Sequence, residues 1–381
     1  MVLLKLLTCI LPCISIFALT QYKIVTNYNT VSKLLMDKRI PVTLLTGFLG
    51  SGKTTLLNKL LRHSAMRDTA IIINELGDAG LDQVLANSNL SQTIENTHIT
   101  DNTVLLSSGC LCCTLKNELA DTMRDLFFKR ALQAIPQFNR LIIETTGIAD
   151  PGPILANLLN EPVIESVYRL DAVIVTIDSI YGLQQLEANT EALKQAAVAD
   201  VLVLTKTDLA SPEQINALKE KLITINPGAT QHNIAYGELD PAFVVDVGLF
   251  DIKTKQPEPQ RWLRAPLKKS QPKGTLPGNT SKKTHDDIVS FTVMLPSPIN
   301  WAQLKPHLLW FCQTYGKNLL RLKGIIHATD QLAPLAIHAV HFTPYPPTLL
   351  EGWTEDEPQS RIVIIGKGLD ELEIRKALMQ F

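Results

Sequence analysis

The segment Gly47-Phe48-Leu49-Gly50-Ser51-Gly52-Lys53-Thr54 fits the Gly-x-x-x-x-Gly-Lys-[Ser/Thr] pattern at every fixed position. Gly47, Gly50 and Gly52 let backbone amides, with Ser51 among them, converge on phosphate oxygens, and the helix that follows adds its positive end. Lys53 is expected to reach the β- and γ-phosphates of a nucleoside triphosphate, Thr55 to add an α-phosphate contact, and Thr54 to offer its hydroxyl to Mg²⁺. Further along, apolar Leu141 to Ile143 ends in Glu144, and Gly147 follows three residues later. In P-loop proteins an acid at such a strand end holds Mg²⁺, often through water, and the glycine amide can sense the γ-phosphate, so the next segment can switch. Lys53 and Glu144 are therefore the catalytic candidates.

A third group is Val203-Leu204-Thr205-Lys206-Thr207-Asp208. A strand end followed by Asn-Lys-x-Asp is the usual reader of guanine, with the acid accepting from the N1 and N2 groups and the lysine packing along the base. Asp208 and Lys206 are in place, whereas Thr205 replaces the asparagine. The discriminating carboxylate is kept and an amide is lost, so guanine is the expected base. A solvated turn after a strand is the plain alternative.

The fourth group is Gly109-Cys110-Leu111-Cys112-Cys113, three of the six cysteines within four residues; the others are Cys9, Cys13 and Cys312. Three thiolates so close can hold a metal such as Zn²⁺ or Cu(I) and leave one tetrahedral position open for water, another side chain or a recipient protein. A redox pair and simple burial are the competing readings. This spacing is not that of a secreted disulfide framework, and a reducing compartment fits it better. Lys and Arg total 36 against 37 for Asp and Glu, so nothing points to nucleic acid as a partner.

Positioning these groups requires a particular set of elements. Short apolar runs at Ile40–Thr46, Ala70–Asn74, Val104–Leu106, Leu141–Ile143, Ala172–Ile177 and Val201–Leu204 alternate with helical stretches, the first from Lys53 to about Ser64. That pattern predicts an α/β fold of the P-loop NTPase type, with a mainly parallel sheet and helices on both faces. Asp251 to Asp287 carries nine Lys or Arg and five Pro and reads as a flexible linker. Beyond it, strands at Ile288–Leu295, Ile325–Ala328, Ala336–Phe342 and Arg361–Gly366, with helices at Trp301–Tyr315 and Leu369–Met379, predict a small α+β domain. His338 and His341 lie three apart on one of these strands, face opposite sides, and so are not expected to share a metal.

The domain plan is thus an apolar leader over residues 1–38, a nucleotide domain over 39–250, the linker over 251–287 and a C-terminal domain over 288–381. Within the leader, Leu6 to Leu19 is almost purely apolar but shorter than the roughly 20 residues of a membrane helix. It has the look of a signal-peptide core, yet a nucleotide hydrolase needs a compartment with nucleotide. A natural start at Met36, which leads straight into the first strand, accounts for this and predicts a cytoplasmic protein. A targeting or membrane segment is the alternative.

Taken together, these motifs resemble the CobW-type family of P-loop GTPases, which includes the zinc-regulated metalloprotein activators. The resemblance rests on Gly47 to Thr55, Asn74-Glu75-Leu76-Gly77, Gly109 to Cys113, and Glu144-Thr145-Thr146-Gly147-Ile148-Ala149-Asp150-Pro151. Leu320-Arg321-Leu322-Lys323-Gly324-Ile325 and Trp353 resemble the CobW C-terminal domain. It implies a GTPase that uses GTP/GDP, Mg²⁺ and Zn²⁺, holds zinc at Cys110, Cys112 and Cys113, and delivers it to a client metalloprotein. A nucleotide- or metal-dependent homo-oligomer is compatible with it. Glu75 and Asp78 are candidate switch or metal-adjacent acids, or solvated loop acids. Many relatives carry a histidine-rich tract before the second domain, whereas this linker has only His285, which argues against bulk metal collection. The alternatives are a nucleotide-regulated zinc buffer or sensor without directed delivery, and a small-molecule kinase that leaves the cysteines unexplained.

Overall fold

A computed structural model describes residues 39–73, 90–94, 97–100, 103–107, 118–244, 247, 288–331, 333–350 and 359–381. The leader, the Asn74 to Gly77 segment, the acids Glu75 and Asp78, the cysteine motif, the linker with His285, and Trp353 lie outside the described residues.

The first sheet has nine strands: β1 (Ile40–Gly47), β2 (Thr69–Ile73), β3 (Leu90–Ile94), β4 (Thr97–Thr100), β5 (Thr103–Ser107), β6 (Arg140–Glu144), β7 (Tyr168–Asp178), β8 (Val201–Thr205) and β9 (Thr230–Asn233). Their order is β3-β4-β5-β2-β6-β1-β7-β8-β9. All neighbours from β5 to β9 are parallel, and β3 and β4 add an antiparallel edge. The described helices of this part are α1 (Lys53–Leu61), α2 (Glu118–Ala131), α3 (Pro151–Asn160), α4 (Pro162–Val167), α5 (Gly182–Ala188), α6 (Thr190–Val198) and α7 (Pro212–Ile225).

Strand alternation explains why both faces are covered. Val42 and Leu44 of β1 enter a core with α2, α3, α6 and α7, whereas Leu45 enters a second core with Leu56, Leu57 and Leu60 of α1. The strand order also brings distant segments together. Because β1 lies between β6 and β7, with Leu45 opposite Glu144 and Gly47 opposite Thr176, the loops leaving all three carboxyl ends meet at one edge. Ligands of open α/β sheets bind at such edges.

The second sheet runs β10 (Ile288–Met294), β15 (Arg361–Lys367), β11 (Leu319–Ile326), β12 (Leu335–Val340) and β13 (Thr343–Pro344), with β14 (Thr348–Leu349) also on β12. Every pairing in it is antiparallel. Ile362 and Ile364 of β15 point into a core with helices α8 (Trp301–Tyr315) and α9 (Glu371–Leu378). Val363 and Ile365, on the opposite face, join the core of the first sheet. The small α+β domain is therefore packed through one sheet face onto α3 and α6. No helix among the described residues is long and apolar enough to cross a membrane.

Two expected strands are placed differently. The expected Ala336–Phe342 strand ends at Val340, because His341 has φ 50° and turns the chain into β13. The expected Ile325–Ala328 strand begins at Leu319 and ends at Ile326. Its start was hidden by Arg321 and Lys323, cations that interrupt the apolar run yet face an acid buried between the two sheets. The β3–β4 edge pair, Leu-Ser-Gln-Thr-Ile and Thr-His-Ile-Thr, is short and mostly polar and carries no apolar alternation that would announce it.

Candidate nucleotide site

The glycine-rich loop leaves β1 and enters α1 through Gly52, whose φ of 89° suits glycine alone among ordinary residues. Leu56 donates its amide to the Gly52 carbonyl (3.0 Å), closing the first helical turn beneath the loop. Lys53 folds back across the loop, and its Nζ donates to the Gly47 carbonyl (2.9 Å) and the Phe48 carbonyl (3.4 Å). Ser51 Oγ pairs with Thr176 Oγ1 on β7 at 2.7 Å, which pins the loop to the neighbouring strand.

Beside the loop, Thr54 Oγ1 donates to Glu144 Oε1 at 2.8 Å, although the two are ninety residues apart. Glu144 is 2% exposed. A hydroxyl and a carboxylate side by side are the hard oxygen donors that Mg²⁺ prefers. The chain then crosses the P-loop closely: a Cβ on Gly147 would lie 2.7 Å from the Leu49 amide nitrogen. Thr145 ties this crossing down through its amide to the Leu45 carbonyl (3.0 Å) and its hydroxyl to Thr46 Oγ1 (2.7 Å). Gln195 of α6 donates to the Gly147 carbonyl (3.2 Å) and the Ala149 carbonyl (3.0 Å). Asp150 caps α3 by accepting from the Gly152 amide (3.0 Å), and its other oxygen pairs with Lys194 Nζ at 2.6 Å. Burial opposes the charge on Asp150, but Lys194 and the Gly152 amide outweigh it and lower its pKa.

Thr205 Oγ1 donates to the Ser51 carbonyl (2.8 Å), with the Ile177 carbonyl at 3.2 Å. The side chain that stands where asparagine was expected therefore holds the P-loop against β7. Lys206, at φ 56°, pairs its Nζ with Asp178 Oδ2 at 2.7 Å. Asp178 Oδ1 in turn accepts from the amides of Ile180 (2.8 Å) and Tyr181 (3.2 Å). Asp208 Oδ1 accepts from the Tyr236 amide at 3.4 Å, and a Cβ on the next residue, Gly237, would meet Thr55 Cγ2 at 3.0 Å. Lys206, Asp208 and Thr55 are thus gathered around one mouth.

Gly47, Gly50, Ser51, Gly52, Lys53, Thr54, Thr55, Glu144, Gly147, Lys206 and Asp208 lie around one sheet edge. Cys110, Cys112 and Cys113 are outside the described residues, among which no three His, Cys, Asp or Glu side chains gather to hold a metal ion. Cys312 is a core residue of α8, its thiol pushed up to about 12 by burial. His338 is buried on β12, while His341 sits half-buried on the following turn, so the two do not form a pair. Sequence reasoning missed Asp178, Thr176, Gln195 and Lys194. Of these, Asp178 ends an apolar strand and carried a readable signal, whereas the others act only through tertiary neighbours.

A glycine loop between strand and helix, a buried acid on the adjacent strand, and an appended α+β domain define a P-loop nucleotide-binding protein of two parts. The pattern described as CobW/HypB/UreG, nucleotide-binding domain matches residues 41–233, and that of the cobalamin synthesis protein cobW C-terminal domain matches residues 288–381. The chain belongs to the CobW/HypB/UreG family. It is 32% identical to the zinc chaperone YjiA of Escherichia coli strain K12 over 338 residues, covering 89% of this chain and 97% of that relative. It is 29% identical over 315 residues to zinc-regulated GTPase metalloprotein activator 1 of Schizosaccharomyces pombe, covering 76% of this chain and 73% of that one. The crystal structure of the Zn(II)-bound YjiA GTPase from E. coli aligns with a TM-score of 0.66 at 28% identity, over 90% of this chain and 98% of that one.

Proposed function

We propose that this chain is a GTP-hydrolysing metallochaperone of the cytoplasm, holding zinc at Cys110, Cys112 and Cys113 and passing it to a client metalloprotein. The observation that carries the hydrolase reading is the 2.8 Å pairing of Thr54 Oγ1 with the buried Glu144, next to Lys53 and the amide-lined loop. Amides of Gly50, Ser51 and Gly52 and the Lys53 ammonium bind the phosphates, and Thr55 contacts the α-phosphate. Thr54 and Glu144 would hold Mg²⁺, which would offset negative charge on the phosphates. The Gly147 amide reports the γ-phosphate. Asp208 accepts from guanine and Lys206, oriented by Asp178, packs along the base.

The zinc reading is supported by the cysteine spacing and by relatives named zinc chaperones. The proposed plan, with a nucleotide domain over 39–250, a linker over 251–287 and a C-terminal domain over 288–381, draws on the two family patterns and their gap. The cytoplasm supplies the triphosphate, and delivery requires a client. Because the cysteine motif lies in sequence between the P-loop and Glu144, nucleotide state and zinc affinity are reciprocally linked. Zinc affinity measured without nucleotide, with GDP and with a non-hydrolysable GTP analogue is expected to differ between states. The combined Cys110→Ser, Cys112→Ser, Cys113→Ser variant is expected to lose the site. Equal wild-type affinity in all three states would sink the coupling.

A further inference from the structure

The turn after β12 places one histidine of the C-terminal domain against the loop that leaves Glu144. His341 Nδ1 lies 3.2 Å from the Gly316 carbonyl, which fixes the ring and assigns its proton to that nitrogen. The opposite edge faces α3 so closely that a Cβ on Gly152 would stand 2.6 Å from both His341 Cδ2 and Nε2. That Nε2 is buried and has no hydrogen-bond partner among the described residues. The charged groups around it are Asp150 and Lys194. Gly152 supplies the amide that Asp150 uses to cap α3, and Asp150 is three residues beyond Gly147, which touches the P-loop backbone. One continuous set of contacts therefore runs from Leu49 through Gly147, Asp150 and Gly152 to His341.

We propose that His341 is a positioning residue for nucleotide hydrolysis: through it the C-terminal domain seats the Glu144–Gly152 loop, so that the state of the γ-phosphate and the state of the C-terminal sheet are coupled. The contact is built for this. The position opposite the ring is a glycine, so the loop and the imidazole meet without an intervening side chain, and the ring is held from behind by its own domain. A loop displaced at Gly147 pulls on the Asp150 cap of α3, and through the Gly152 amide that strain bears on the contact with the imidazole. The proposal rests on the reading of Glu144–Gly147 as the segment that answers the γ-phosphate.

The test compares wild type, Gly152→Ala, His341→Ala, the double variant and His341→Gln. The measurements are kcat and KM for GTP, the affinity ratio of a non-hydrolysable GTP analogue to GDP, and hydrogen exchange of residues 335–350 in both states. Gly152→Ala is expected to lower the affinity ratio of the GTP analogue to GDP about tenfold, within the usual range of coupling between sites, with GDP affinity unchanged, and to lower kcat with it. His341→Ala should lower kcat with little change in KM and abolish the nucleotide dependence of exchange in residues 335–350. The double variant should recover most of what Gly152→Ala loses, because the new methyl then enters the space the imidazole left. His341→Gln should fold as wild type does and keep only part of the coupling. If the double variant shows the product of the two single losses, or if His341→Ala keeps wild-type kcat and exchange, the proposal is overturned. A wild type that neither binds nor turns over GTP would instead overturn the nucleotide reading, and the proposal with it.

Discussion

Asp200, in the turn between α6 and β8, provides the sharpest test of how the two sheets are held together. Its Oδ2 accepts from the Val173 amide (2.9 Å), and its Oδ1 takes Arg321 Nη2 and Lys323 Nζ, the latter at 2.7 Å. Arg321 also donates to the Val198 carbonyl. The side chains of Arg321, Lys323 and Asp200 are 3%, 12% and 9% exposed. Burial alone would raise the Asp200 pKa, but Arg321, Lys323 and the Val173 amide hold it down to about 2 from an ordinary 3.8. That difference is worth about 2 kcal/mol in favour of the folded, charged form. Asp200→Asn keeps the shape and an acceptor for Val173 but leaves two buried cations without their anion, a change that typically costs about 3–5 kcal/mol. A loss of roughly 2–5 kcal/mol is therefore expected in urea unfolding at about pH 7, a large share of an ordinary domain's stability. A carboxyl with a lowered folded pKa stabilises above its unfolded value and loses that contribution as pH falls through the folded one. The gap between wild type and Asp200→Asn should thus be constant above about pH 4 and shrink below it. A loss smaller than about 0.5 kcal/mol, the scale of ordinary surface substitutions, would refute the reasoning.

Thr205→Val removes a buried hydroxyl that donates to the Ser51 carbonyl at 2.8 Å, and should cost about 1–3 kcal/mol and weaken nucleotide binding. Preference for GTP over ATP, read by competition binding, should not change, because that hydroxyl serves the P-loop rather than the base. Stability should also fall as pH drops below 6.5, since burial, with Lys323 and Arg321 nearby, holds the His338 pKa well below that ordinary value against the opposing pull of Asp200. The unfolded chain then binds the extra proton, and the slope is at most about 1.4 kcal/mol per pH unit for this group. His338→Gln should flatten that slope in thermal unfolding between about pH 5 and pH 7.

What could be read in advance depended on how local the physics is. The P-loop is a covalent neighbourhood: Gly47 to Thr54 brings its own amides, lysine and hydroxyl, so spacing alone identifies it. Glu144 was legible because an apolar strand ends on an acid. Thr205 was read as a lost amide, while the structure gives its hydroxyl a different task, one set by the register of β8 against β7. Gln195 and Lys194 look like ordinary polar positions of an amphipathic helix, and nothing in their spacing tells that they hold Gly147, Ala149 and Asp150. The same holds for Arg321 and Lys323, whose charge argues for solvent until the acid facing them across the two sheets is known.

These contacts also determine which part of the molecule is able to move. Helix α6 meets the Glu144–Gly152 loop through Lys194 and Gln195, and a turn later its Val198 carbonyl and the following Asp200 are gripped by Arg321 and Lys323 of β11. A helix anchored to the C-terminal sheet at that end does not follow the loop without breaking a buried ion cluster, which costs more than two neutral hydrogen bonds. Displacement of Gly147 is therefore easiest at the bonds from Gln195 to the Gly147 and Ala149 carbonyls. Asp150, bound by both Lys194 and the Gly152 amide, stays with α6 and α3. The loop is then held at Thr145 by β1 and at Asp150 to Gly152 by α6 and α3, with Gly147 between the two anchors. The second anchor is the one in contact with His341, so displacement of Gly147 reaches the C-terminal domain as strain at the α3 cap rather than as a rigid rotation of the two sheets.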